Sequence, residues 1–159
     1  MAVGINGDEN DNSGVTVGAV YVFFQNDGTW RQQAYVKADS SSSADSFGKT
    51  ALSLSEDGNT LAVGVELEDS DSVGINGSPH NDLSSLSGAV YVYVRDGNTW
   101  ERQAYLKASN AQTLAMFGSR VSLSADGNLL AVTAVSEWSS ATGINGDQFD
   151  VSSLSLIHI

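Results

Sequence analysis

Six apolar residues in succession, Ala89-Val90-Tyr91-Val92-Tyr93-Val94, set the first constraint on this chain. A strand wetted on one face alternates apolar and polar side chains, so an unbroken apolar run predicts a sheet covered on both faces. Three further strand-forming runs accompany it. Residues 50–55 and 60–65 are joined by the hairpin signal Asp57-Gly58-Asn59, and residues 100–108 follow 88–94 across the turn Arg95-Asp96-Gly97-Asn98. No window sustains a 3.6-residue period, and the chain has a single proline. The expected class is all-β, built from units of four antiparallel strands.

The unit recurs along the chain. Residues 18–38 repeat as 88–108, Phe47-Gly48 returns as Phe117-Gly118, and Trp30 returns as Trp100, each 70 positions later. Asp57-Gly58-Asn59 returns as Asp126-Gly127-Asn128, 69 positions later, so one residue has been lost after Gly118. The text Gly-Ile-Asn-Gly begins at Gly4, Gly74 and Gly143. A four-strand unit with a doubly covered strand suits a β-propeller blade, which is packed between two neighbours. The repeats at residues 1–153 therefore predict about two blades' worth of a larger ring.

Charge narrows the partners. The chain has 19 Asp and Glu against 7 Lys and Arg, a net charge of -12, which argues against nucleic acid and anionic membranes. It has no cysteine, so neither disulfides nor thiolate metal sites enter. No apolar run approaches the roughly 20 residues of a membrane helix, and the first residues lack the pattern of a secretory signal. Met1 reads as an internal codon, because Met1-Ala2-Val3-Gly4 parallels Leu61-Ala62-Val63-Gly64 inside the repeat. Residues 154–159 match nothing in the repeat and read as the translation of a transposon end used in sequencing adapters.

Phe-Gly before the first strand, Gly-Ala before the third and a long polar loop between second and third resemble the FG-GAP repeats of integrin-type β-propellers, in the long form of bacterial surface and secreted proteins. The resemblance spans residues 2–151, with one departure: Val20 and Val90 stand where the family name has proline. It implies a ring completed by further blades of the same parent chain, at the cell surface or secreted. It also implies binding or adhesion, with rim loops contacting a protein or a glycan.

Chemistry is sparse. Asp69-Ser70-Asp71-Ser72-Val73-Gly74 resembles the calcium loop of integrin blades, with Val73 at the third ligand position. A second oxygen-rich loop offers Asp8, Asn10 and Asn12, closely spaced as a hard cation such as Ca²⁺ requires. The plainer reading of both is turn chemistry. In the third copy Asp69 and Asp71 become Trp138 and Ser140, which removes the site. Outside the 154–159 tail His80 is the one histidine, a poor basis for a nucleophile and base, so no enzyme is expected in this segment. The alternatives to binding are a structural spacer and the appendage of a secreted enzyme. Trp30 and Trp100 are expected to pack between blades rather than to form a glycan platform, and Phe47 and Phe117 to anchor the core.

Overall fold

The computed structural model describes residues 2–11, 13–40 and 44–152, so Met1 and the tail at 154–159 lie outside the described residues. The chain is all-β, with no helix among those residues. Eight strands form: β1 Val20–Asn26, β2 Thr29–Val36, β3 Ala51–Leu54, β4 Thr60–Val65, β5 Ala89–Asp96, β6 Thr99–Leu106, β7 Phe117–Leu123 and β8 Leu130–Ala134. They make three antiparallel sheets: β1-β2, then β3-β4-β5-β6 in chain order, then β7-β8. The middle sheet is the four-strand unit expected from the sequence.

Both faces of that sheet are covered. Leu61, Val63, Tyr91 and Tyr93 share one cluster with Val20, Ala34 and Val36 of the first sheet. Ala62, Val90 and Val92, pointing the other way, pack with Val121, Leu123, Leu130 and Val132 of the third. β5 therefore has no wet face over Ala89 to Tyr93, which is why its apolar run does not alternate. Its counterpart β1 has one sheet against it, and there Tyr21 and Phe23 stand about half exposed.

Register confirms the repeat. Leu54 pairs with Leu61 and Leu123 with Leu130, both members 69 apart, whereas Phe47 and Phe117 are 70 apart. The lost residue thus falls between Gly118 and Arg120, where β7 is irregular. A bulge interrupts β1-β2 after Val22 and β5-β6 after Val92, leaving Gln33 and Gln103 as the unpaired extra residues. A bulge re-aims its side chain, and Gln33 makes use of this below.

The Phe-Gly and Gly-Ala texts meet one another. Gly18 bridges Phe47 and Gly88 bridges Phe117 in parallel, with the Phe47 amide on Val17 O at 2.9 Å and the Phe117 amide on Ser87 O at 3.0 Å. Gly88 has φ of +80°, and a Cβ there would overlap the Phe117 backbone. Glycine is needed for both reasons. Gly64 serves the other seam, since a Cβ on it would overlap the carbonyl oxygen of Gly118. Gly64→Ala should lower stability by about 2–3 kcal/mol, an overpacking cost that rigid backbone cannot relieve. Urea unfolding checks this, and a loss below about 0.5 kcal/mol would detach β7 from β4.

Candidate functional site

The Gly-Ile-Asn-Gly text is an edge bracket. Asn76 donates its amide to Tyr105 O at 2.7 Å and accepts the Tyr105 amide on its side chain at 3.0 Å. Lys107 N donates to Gly74 O at 2.8 Å. Asn6 makes the same pair of bonds with Tyr35, at 2.7 and 3.0 Å. Each bracket satisfies the outer edge of β2 or β6, which would otherwise invite another strand. The docking on the strand, between residues 29 positions apart, is what the structure adds. At Gly143 the bracket has no strand among the described residues, and Ile144 is 95% exposed.

The long connection at residues 66–88 is held by a buried polar cluster. Lys107 Nζ lies 2.5 Å from Glu68 Oε2 and donates to Ser70 O at 2.8 Å and to Ser87 Oγ at 2.6 Å, which employs all three ammonium protons. Tyr105 donates its hydroxyl to Glu68 Oε1 at 2.8 Å. Burial pushes the Lys107 amine down, against the pull of Glu68, and pushes the Tyr105 phenol up. Composition did not mark this cluster. Its one sequence signal is Lys37 and Lys107 recurring two residues after Tyr35 and Tyr105 in otherwise strand-like text.

Asp45 lies at the seam between the first two sheets, 4% exposed, with Oδ1 lacking a hydrogen-bond partner among the described residues. Burial first, then the charges of Glu68, Asp69 and Asp82, push its carboxyl up to about 7, while Lys107 pulls the other way. At the next seam the equivalent residue is Ala115, also buried. The unfolded chain ionises Asp45 near 3.8 and the folded chain near 7, so its neutral form favours the fold. Stability from this group is full below about pH 4, declines as pH rises to about 7 and is level above. Asp45→Asn should therefore match the parent at pH 4 and exceed it at pH 8 by about 1–3 kcal/mol. Urea midpoints at the two pH values check the sign, and a variant less stable at pH 8 would refute it.

The expected cation ligands among the described residues take part in local hydrogen bonds. Asp69 Oδ1 accepts the Leu86 amide at 2.6 Å, Asp71 is exposed with its amide on Asn81 Oδ1 at 3.1 Å, and Asp8 Oδ1 accepts the Asn10 amide at 2.9 Å. Asn12 lies outside the described residues. Among the described residues no group of three or more His, Asp or Glu side chains is placed to hold a metal ion. Asp57 and Asp126 line a shallow cleft of about 360 Å³ with Glu56 and Ala125. Hydrogen bonds from Ser55 and Asn59, and from Ser124 and Asn128, lower both carboxyls, which makes them turn caps. His80 is exposed.

The two tryptophans part company. Trp100 is 3% exposed and donates Nε1 to Oε1 of the bulged Gln33 at 2.9 Å, with the Arg95 guanidinium 5.9 Å from its ring. Trp30 is 66% exposed, because no sheet among the described residues covers its face. Phe47 is buried and Phe117 partly so, each at a seam. Among the described residues no helix is long and apolar enough to cross a membrane. A scan against protein-family models, a search of curated proteins and a search of solved structures each return no match.

Proposed function

We propose that this chain is a binding module in which propeller-type blades of the FG-GAP kind present rim loops to a protein or glycan at the cell surface. The observation that supports the reading best is the middle sheet, a four-strand unit packed on both faces by sheets of the same repeat. Such a stack is a rigid platform, and its long loop is pinned at one side by the Lys107 cluster. The same loop leaves the apolar side chains of Val73, Ile75 and Leu83 exposed. Exposed apolar side chains grouped on a loop mark an interaction site more often than scattered ones do.

A glycan array together with a panel of extracellular matrix proteins tests this reading. Binding is expected on one of the two, weakened by Leu83→Ser with Val73→Ser at unchanged thermal stability. Binding to neither, or binding that ignores the loop variant, favours the spacer. Calcium is separable from this. As the cap of the Leu86 amide, Asp69 should cost about 1–2 kcal/mol when changed to alanine, in calcium and in chelator alike. A cost confined to millimolar calcium would instead support the cation loop.

A further inference from the structure

We propose that the seam between the first two sheets is a proton-gated joint: a neutral Asp45 keeps it closed, and loss of that proton loosens it while the seam between the second and third sheets stays closed. The two seams are built alike. At the first, the amides of Ala44, Ser46 and Phe47 donate to the carbonyls of Val15, Thr16 and Val17 at 3.2, 3.1 and 2.9 Å. At the second, those of Leu114, Met116 and Phe117 donate to the carbonyls of Ser85, Leu86 and Ser87 at 2.8, 2.9 and 3.0 Å. The backbone conformation repeats as well, with φ of +84° and +54° at Ala44 and Ser46 and of +67° and +54° at Leu114 and Met116. Left-handed backbone is unfavourable for such residues, so each segment is held in place by what surrounds it. Between the two left-handed residues stands Asp45 in one copy and Ala115 in the other, both buried. At this place one seam therefore encloses a carboxyl and the other a methyl group.

Lys107, the cation that acts on Asp45, is already committed, since its three ammonium protons go to Glu68, the Ser70 carbonyl and the Ser87 hydroxyl. The other titratable groups facing Asp45 are Glu68, Asp69 and Asp82 of the long loop and the phenol of Tyr91 on β5. The three carboxylates oppose a further negative charge beside them, and burial opposes it too. A bound proton is what lets this carboxyl stay enclosed. In the closed seam Asp45 is pushed up to about 7, and it returns toward the ordinary 3.8 once opening admits water. Opening is therefore easier as pH rises from about 4 to about 7, and changes no further above. Glu68 and Asp69 also hold the Gly88 and Leu86 amides, so repulsion from an ionised Asp45 falls on the base of the long loop.

Hydrogen exchange of the intact chain, corrected for the intrinsic pH dependence of amide exchange, tests the joint seam by seam. Between pH 5 and pH 8 protection of the Ser46 and Phe47 amides should fall roughly 10–100-fold, whereas protection of the Met116 and Phe117 amides should stay level. Asp45→Asn and Asp45→Ala, the latter reproducing what the second seam carries, should each make first-seam protection level over the same range. Equal loss at both seams would mean that pH acts on global stability alone and would overturn the joint. Level protection at both seams of the parent chain, or a first-seam loss that persists in either variant, would overturn it as well.

Discussion

Trp100→Ala should cost about 3–5 kcal/mol of unfolding free energy, whereas Trp30→Ala in the same chain should change it by less than about 0.5. Both residues occupy the same place in the repeat, 70 positions apart, so neither intrinsic propensity nor local sequence accounts for a difference. Packing does. The ring of Trp100 lies in the cluster between the first two sheets and spends its one donor on Gln33. Removing it opens a cavity at the seam and leaves the Gln33 carbonyl to Arg95 alone, at 3.4 Å. Trp30 faces no described sheet and already meets solvent. Urea unfolding of the two variants, followed by tryptophan fluorescence and circular dichroism, gives the comparison. Equal costs would mean that Trp30 is covered too and would refute the assignment.

The second large effect comes from the ion pair beneath the long loop. Glu68→Gln and Lys107→Met should each destabilise by about 3–5 kcal/mol, because each leaves a buried charge without its partner. Glu68 and Lys107 are both nearly inaccessible, so solvent cannot make up the loss. Combining Glu68→Gln with Lys107→Met should cost far less than the sum of the two single changes, since neither buried charge is then left without its partner. A double-mutant cycle measures this coupling. Additive losses would mean that the two charges do not depend on one another. Hydrogen exchange adds a readout specific to the loop: the Leu86 and Gly88 amides, bonded to Asp69 and to the Glu68 carbonyl, should lose protection before the strands do.

Much of the fold was legible in one dimension. β4 was bounded at Thr60 and Val65 from its apolar run and its turn, and the other strands fell within a few residues of their observed limits. These readings rest on short-range causes: alternation or its absence, positive-φ residues at the hairpin turns, and a repeat that exposes a shared pattern. The unbroken apolar run of β5 even foretold two covering sheets. The seam glycines were partly readable as well, because Gly48 and Gly118 stand beside Phe47 and Phe117 in both copies.

The site was less legible, for reasons of distance. Lys107 meets Glu68 across 39 positions and Trp100 meets Gln33 across 67, separations over which one sequence carries no pairing signal. Asp69 was readable as a neighbour of Asp71, whereas its bond from the Leu86 amide, 17 residues onward, was not. Asp45 looked like any polar loop residue until two sheets closed around it. By itself the sequence determined the strands, the turns and the repeat, since those follow from the conformational preferences of neighbouring residues. Tertiary structure alone decided which of two equivalent tryptophans is core, which carboxylate is buried at a seam and which glycine is pressed against another backbone. Those outcomes depend on what lies across a seam, and the same residue differs in environment wherever a neighbouring sheet is present on one side and missing on the other.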